Sequence, residues 1–214
     1  MNTIYRNANY LKSVHYLKDL PSDECVEVAF AGRSNAGKSS AINVVTDQKG
    51  LAHTSKTPGR TQQINFFEFT PNRYLVDLPG YGFAKVPAEI KRHWEKILDE
   101  YLRTRNSLKG LVLVMDIRHP LTEFDQQMLH WCEQAELSAH ILLTKSDKLK
   151  RGQQANQLLQ VRKVLEAEFP HATVQTFSAL KKQGVDEIHR RLDDWFDWNA
   201  SSEPSTDESG TVQS

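Results

Sequence analysis

Residues 28–40 read V-A-F-A-G-R-S-N-A-G-K-S-S, an apolar strand pattern that runs directly into a glycine-containing turn. The turn matches G-x-x-x-x-G-K-S, and a helix-compatible segment begins near Lys38. In such a loop, backbone N–H groups and the positive end of the following helix surround phosphate oxygens. Lys38 adds a positive charge and Ser39 a hydroxyl ligand for Mg²⁺. The sequence therefore predicts a nucleotide phosphate site formed by Gly32, Arg33, Ser34, Asn35, Ala36, Gly37, Lys38 and Ser39.

Further strand-like runs alternate with helical patterns along the chain. This alternation predicts an α/β fold with a mostly parallel sheet and helices on both faces. The link between the second and third runs has only four residues, too short for a crossover, so these two should pair antiparallel. The six runs are 26–31, 64–69, 74–78, 111–115, 140–144 and 173–177.

Composition excludes several other classes of protein. The chain has 214 residues, 39% hydrophobic and 25% charged, which suits one globular domain and excludes a wholly disordered chain. The longest apolar run, Leu111–Met115, is too short to span a membrane. Two cysteines give neither a disulfide framework nor a cysteine-based zinc site, and favour the cytoplasm. We expect an N-terminal arm over 1–20, a domain over 21–199 and a disordered acidic tail over 200–214.

A second motif supplies a carboxylate for the same site. D-x-x-G occurs three times, but only Asp77 follows an apolar strand pattern, whereas Asp47 and Asp207 lie in polar segments. We expect Asp77 to meet Mg²⁺ through water and the Gly80 N–H to sense a γ-phosphate. This motif comprises Asp77, Leu78, Pro79 and Gly80.

A third motif indicates the base. Lys145-Ser146-Asp147 directly follows the strand-like run that ends at Thr144. An ionised Asp147 can accept from both N1–H and N2–H₂ of guanine, a donor pair that adenine lacks. The stem of Lys145 can lie over the base. Phe177, Ser178 and Ala179 end the last run, where a backbone N–H could meet the guanine oxygen, so GTP and GDP are the expected ligands.

The details resemble the EngB (YihA, YsxC) family, which is placed among the TrmE-Era-EngA-EngB-septin-like GTPases. The resemblance covers about residues 21–199 and is most specific at T-P-G-R-T-Q and D-I-R-H-P. It implies a Ras-like sheet of six strands, one antiparallel, with bound GTP and Mg²⁺. It also implies a role in assembling the large ribosomal subunit and an association with normal cell division and septation. The stretches that carry it are 28–40, 54–62, 75–82, 115–120, 144–149 and 177–185.

A switch segment should lie between the first two motifs. Its threonine must ligate Mg²⁺ in the GTP state. We favour Thr61, which follows Pro58-Gly59-Arg60 and precedes the run at 64; the resemblance also indicates it. We expect Gly59, Arg60, Thr61, Gln62 and Gln63 to contact the nucleotide. The other candidate threonines are Thr46, Thr54, Thr57 and Thr70.

Tyr81 stands where Ras-type enzymes carry a water-orienting glutamine, so intrinsic hydrolysis should be slow. GTPases that this chain resembles have an asparagine at the position of Asn35. They use it to hold K⁺ beside the phosphates, in the place of an arginine finger. The alternative is that Asn35 only caps the loop. The expected catalytic residues are Lys38, Asn35, Thr61 and Gly80, and the expected Mg²⁺ ligands are Ser39, Thr61 and Asp77.

Basic residues follow several loops at the expected ligand edge, where ribosomal RNA could bind; an ordinary solvated face is the alternative. The leading hypothesis is a monomeric cytoplasmic GTPase that binds immature large ribosomal subunits. A septation adaptor that uses GTP as a conformational ligand is the second, and a P-loop ATPase or kinase the third. The basic residues are Lys56, Arg60, Lys85, Lys91, Arg92, Lys145, Lys148, Lys150, Arg151, Lys181 and Lys182.

Overall fold

The computed structural model describes residues 2–53, 63–81 and 88–197. Seven strands form a single sheet in the order β1-β3-β4-β2-β5-β6-β7. The strands are β1 (Asn9–Val14), β2 (Val26–Gly32), β3 (Ile64–Thr70), β4 (Arg73–Asp77), β5 (Leu108–Asp116), β6 (Ala139–Thr144) and β7 (Ala172–Thr176).

Strand directions confirm the α/β class and the single antiparallel strand. β2 pairs parallel with β4 and β5, and β5, β6 and β7 continue the parallel order. β3 pairs antiparallel with both β4 and β1. The sheet has seven strands where six were expected, because residues 9–14 of the N-terminal segment add an edge strand beside β3.

In the described ranges five α-helices cover the two faces of the sheet, and each face has its own apolar layer. Side chains of α2, α3 and α4 pack on one face, and side chains of α1 and α5 pack on the other. The central strands β2 and β5 are buried on both faces, which explains their nearly continuous apolar sequence. The helices are α1 (Lys38–Val45), α2 (Ala88–Thr104), α3 (Glu123–Gln134), α4 (Arg151–Glu168) and α5 (Val185–Trp195).

α5 lies very close to the sheet. A Cβ atom on Gly110 would stand 2.4 Å from the indole ring of Trp195, so only glycine at this position lets the helix approach. Ahead of β1, Tyr5 is buried against Phe69 and Phe196, and its hydroxyl donates to Asp193 at 2.8 Å. The N-terminal segment is therefore packed against both α5 and β3.

The parallel strands all end at one edge of the sheet, and the loops that carry the three sequence motifs leave from that edge. No helix within the described ranges is long and apolar enough to cross a membrane.

Candidate functional site

The phosphate loop has the shape that its glycines require. A Cβ on Gly32 would lie 2.7 Å from the carbonyl oxygen of Val114, so a side chain cannot fit where the loop leaves β2. Gly37 has φ +104° and caps the N-terminus of α1. Asn35 has φ +63°, a conformation that asparagine tolerates better than most residues. The loop thus turns sharply from a buried strand into the start of a helix, the geometry expected of a phosphate cradle.

Two side chains from the end of β6 hold this loop in place. The Thr144 hydroxyl lies within hydrogen-bond distance of the carbonyl oxygens of Ala36 and Met115. The Lys145 ammonium donates to the carbonyl oxygen of Asn35 at 2.7 Å. The loop predicted to bind phosphate and the loop predicted to bind the base are therefore directly linked.

The Lys38 ammonium forms an ion pair with the carboxylate of Asp77. The two side chains are only 12% and 10% exposed. They meet because β4 lies beside β2, with Asp77 in register with Phe30. The Ser39 hydroxyl donates to the carbonyl oxygen of His53 at 3.1 Å. The structure thus brings together the charged groups of the first two motifs.

The oxygen atoms of the Ser39 and Asp77 side chains suit Mg²⁺. Ser39 and Asp77 offer a hydroxyl and a carboxylate, the oxygen ligands that this ion prefers. Within the described ranges, no group of three or more His, Cys, Asp or Glu residues could hold a metal ion by itself. A site with so few protein ligands fits an ion that completes its shell with water and phosphate oxygens.

Residues 78–80 lie alongside the phosphate loop. The Leu78 N–H donates to the carbonyl oxygen of Phe30 at 2.9 Å, and the Ser34 N–H donates to the carbonyl oxygen of Tyr81 at 3.0 Å. The Tyr81 N–H in turn reaches the carbonyl oxygen of Gly32 at 3.4 Å. Leu78, Pro79 and Gly80 are thereby held beside the loop to which the sequence analysis assigned them.

The residues predicted to recognise the base also converge. The Ser178 hydroxyl donates to the Asp147 carboxylate at 2.5 Å, and the Asp147 side chain is 10% exposed. The Ser146 N–H donates to the carbonyl oxygen of Phe177 at 3.2 Å. Ser178 and Gln183 exchange two backbone hydrogen bonds, at 3.0 and 3.1 Å. The loop of Phe177, Ser178 and Ala179 is therefore fixed directly beside the Asp147 carboxylate.

Asp116 belongs to the candidate site through its contact with Lys145, and the sequence analysis did not identify it. Its carboxylate accepts from the Lys145 ammonium at 2.9 Å and from Arg118 at 2.6 and 2.9 Å. Burial opposes ionisation, yet hydrogen bonds from Arg118 and Lys145 hold the pKa of Asp116 well below its ordinary value. Asp116 therefore positions Lys145. The available signal was D-I-R-H-P, which marked the family resemblance without indicating this role.

Tyr81 is engaged through its hydroxyl, which donates to Asp125 at 2.9 Å. Asp125 also accepts from the backbone of Thr122 and caps α3. Burial, and then the nearby Asp125 carboxylate, raise the pKa of the Tyr81 phenol well above its ordinary value. The phenol is thus neutral, and its hydrogen bond to Asp125 holds it against α3.

Only Gln63 of the residues predicted to form the nucleotide contacts of the first switch lies within the described ranges. Gly59, Arg60, Thr61 and Gln62 lie outside the described residues. Gln63 is described, and its side-chain nitrogen lies 2.6 Å from Nε2 of His15, just after β1.

Comparison with known proteins agrees with this geometry. A family model described as "50S ribosome-binding GTPase" matches residues 27–145, more than half of the chain. The "Probable GTP-binding protein EngB" of Hydrogenovibrio crunogenus is 57% identical over 208 residues, covering 96% of this chain and 98% of the relative. The protein of the same name from Escherichia coli O139:H28 is 54% identical over 195 residues, covering 91% and 93% of the two chains.

The chain belongs to the EngB family of GTP-binding proteins. It is thus a GTP-binding GTPase in family and fold. A crystal structure of a probable GTP-binding protein engB superposes on this EngB-family chain with a TM-score of 0.65 at 21% identity, covering 81% of this chain and all of that one. The structure of Era in complex with MgGDPNP and a segment of 16S ribosomal RNA superposes with a TM-score of 0.59 at 19% identity, covering 80% and 56%. At these identities the two structures support the fold alone.

Proposed function

We propose that this EngB-family protein is a slow GTPase whose bound nucleotide controls a step in assembly of the large ribosomal subunit, and through it normal cell division and septation. One observation carries the nucleotide part. The phosphate loop, Asp77 and Asp147 converge at one sheet edge, and Lys145 bridges the loop and the base site. The family description, which names binding to the 50S ribosome, supports the assembly role.

In this proposal the phosphate loop holds the triphosphate. The N–H groups of residues 33–39 and the start of α1 surround the phosphate oxygens, and Lys38 neutralises charge on the outer phosphates. Bound Mg²⁺ would neutralise negative charge on the β- and γ-phosphates. Ser39 would hold this ion directly, Asp77 through water, and Thr61 when the switch is closed. The Gly80 N–H would report the presence of the γ-phosphate.

The base pocket selects guanine over adenine. Asp147 accepts two hydrogen bonds from the guanine edge, and Ser178 keeps its carboxylate oriented. Lys145, held by Asp116, lays its aliphatic stem over the ring. Thr144 and Ser146 fix the ends of this loop, and a backbone N–H near Ala179 meets the guanine oxygen.

Hydrolysis is slow because Tyr81 cannot orient water. Its hydroxyl already donates to Asp125, so the side chain is anchored to α3. The amide oxygen of Asn35 would hold K⁺, and this ion would supply additional positive charge to stabilise the transition state. An arginine finger in the equivalent role raises the rate by about 10³–10⁵-fold.

Replacing Asn35 tests the K⁺ role. Asn35→Ala should abolish stimulation of GTP hydrolysis by K⁺ over Na⁺, because alanine offers no amide oxygen. Alanine is also strained at φ +63°, so Asn35→Gly is the matched variant that removes the ligand and keeps the backbone conformation. Both variants should lose the stimulation in a phosphate-release assay. Retained stimulation in Asn35→Gly would contradict a ligand role and leave Asn35 as a loop-shaping residue.

Two other functions give different outcomes. A septation adaptor would capture division proteins, whereas an assembly factor would capture large-subunit proteins and ribosomal RNA. Affinity purification of the tagged chain in GTP analogue and in GDP, followed by mass spectrometry, separates them. A P-loop ATPase or kinase would bind ATP as well as GTP, and competition between the two nucleotides tests this. We further propose that the protein acts in the cytoplasm as a monomer.

A further inference from the structure

We propose that the N-terminal edge of the sheet binds a single-stranded segment of RNA. The surface is the outer edge of β1 with the side chains on its two sides: Tyr10 on the sheet face of Phe67, and Lys12 on the opposite face together with the turn that carries Tyr16 and Lys18. We call it the arm surface. Its residues are different from those assigned to the nucleotide site above. This inference deepens the proposed ribosomal function and rests on it, because it specifies where RNA is held.

Two large aromatic side chains are exposed on the arm surface. Tyr10 and Tyr16 are each 59% exposed, whereas most aromatic side chains of the described chain are buried or partly buried. Tyr10 does not move freely, because its ring packs on Phe67 with centroids 6.4 Å apart and its hydroxyl pairs with Ser13 at 2.8 Å. Exposed aromatic rings give unpaired bases a platform for stacking.

Positive charge is placed beside the Tyr16 ring. The Lys18 ammonium lies 5.6 Å from the centre of the Tyr16 ring. Lys12 donates to the carbonyl oxygen of Asp19 at 2.6 Å, which draws the turn carrying Tyr16 and Lys18 back towards the strand. The first acidic residue of the chain is Asp19, and three basic residues precede it, so the segment suits a polyanion. One of these three, Arg6, is already paired with Asp47 and is not counted as part of the surface.

The edge itself favours a nucleic acid over an added protein strand. In the described part of the chain β1 pairs only with β3, so its other edge can offer backbone N–H donors to phosphates. The ladder has a bulge at Leu11, where the register passes from Tyr10–Phe67 to Lys12–Phe66. Bulges and edge lysines oppose regular strand addition, because they interrupt the ladder and place charge at the seam.

The arm surface is also anchored to the neighbouring strand. The Ser13 hydroxyl donates to Asn65 at 2.6 Å, and His15 contacts Gln63 at 2.6 Å. Asn65 lies at the beginning of β3, and Gln63 directly precedes that strand. RNA bound here would therefore lie next to Gln63, the described end of the segment that we predict to contact the nucleotide.

Direct binding of a labelled oligoribonucleotide to the full-length protein tests the inference. The probe is a fluorescent single strand of about a dozen nucleotides of mixed sequence, titrated in GDP at several salt concentrations. Tyr16→Ala should weaken binding about tenfold, because a stacked base loses its platform. Tyr16→Phe should bind like the wild type, because the ring face is retained. Lys12→Gln with Lys18→Gln should lower the salt slope by about 1.4, the value for two phosphate contacts on a single strand.

The control pair is Arg162→Gln with Lys163→Gln, which removes the same charge from an exposed face of α4. The inference is overturned if this pair weakens RNA binding as much as the arm pair, since only net charge would then matter. It is also overturned if the wild type binds GDP normally but no RNA. In that case the proposed function survives if the protein still co-sediments with ribosomal particles, so the two failures are distinguishable.

Discussion

At the scale of single residues, Asp147 shows how a short motif acquires its function from the fold. The triplet Lys145-Ser146-Asp147 is short enough to occur by chance, and only its neighbours give it meaning. Ser178, which lies on the next strand-to-helix loop, orients the carboxylate at 2.5 Å. The pairing of β6 with β7 brings these two loops together. The guanine-recognition hypothesis therefore depends on one side chain and its position in the sheet.

Changing Asp147 to Asn should exchange one base for another. Xanthine carries a carbonyl where guanine carries its amino group, so an amide N–H at this position donates to xanthine and cannot accept from guanine. We expect Asp147→Asn to weaken GTP binding by about 10- to 100-fold, because a charge-assisted hydrogen bond contributes about 1.5–3 kcal/mol. XTP affinity should rise in the same variant. Competition against a fluorescent nucleotide measures both.

The control for this exchange is Asp99→Asn, which removes one negative charge from α2, away from the strand ends that form the nucleotide edge. It should leave GTP and XTP affinities unchanged. If Asp147→Asn behaved like this control, Asp147 would have no part in base selection.

Asp116 illustrates what could not be predicted at this scale. It lies 29 residues before Lys145, and no spacing rule joins the two. They meet because β5 and β6 are neighbours, with Asp116 in register with Thr144. The contact requires knowledge of which strands are adjacent, which periodicity does not supply.

At the scale of elements, β6 and β7 are joined by a buried histidine. His140 is 3% exposed, and its Nε2–H donates to the side-chain oxygen of Gln175 at 2.8 Å. Its Nδ1 accepts from the Thr173 hydroxyl at 2.7 Å. Burial lowers the pKa of His140 to about 4, and the nearby Arg191 acts in the same direction. The imidazole ring of His140 is therefore neutral in the folded protein at neutral pH.

This histidine should make stability depend on pH. An unfolded histidine has a pKa of about 6.5. Between pH 6.5 and 4 the unfolded chain therefore binds the extra proton, so the contribution is complete above pH 6.5 and declines as the pH falls. From pH 7.5 to 5 the loss from His140 should be about 2 kcal/mol.

Urea denaturation at pH 7.5 and pH 5 measures this loss. His140→Gln should lose less stability between the two pH values than the wild type, whatever its stability at pH 7.5. His171→Gln, at an exposed position, should keep the wild-type difference. Equal differences in wild type and His140→Gln would show that His140 does not carry the effect.

The strands differ in how far they could be predicted. β2, β5 and β6 have apolar runs that only a doubly covered sheet can bury, and their positions were predicted closely. β1 was missed, because Asn9, Tyr10 and Leu11 are exposed and leave no alternation to detect. This strand forms because it pairs with β3. The pair Ser13–Asn65 joins residues that are 52 positions apart in the sequence.

At the scale of the whole molecule, three motifs spread over more than a hundred residues meet at one edge. Each motif follows a parallel strand, and parallel strands end at the same edge of the sheet. The sequence therefore predicted that the three motifs lie close together. The class of the fold and the single antiparallel strand were confirmed. The placement of the predicted switch residues 59–62 and of the tail stays a prediction, because they lie outside the described ranges.

Co-sedimentation of the purified full-length protein with ribosomal particles tests the central proposal most directly. The comparison uses a GTP analogue, GDP and no nucleotide, with Asp147→Asn as the variant that should lose the response to the GTP analogue. The proposal predicts binding to large-subunit particles chiefly with the GTP analogue. Tight binding of guanine nucleotide without particle binding in any state would contradict it and favour the septation adaptor.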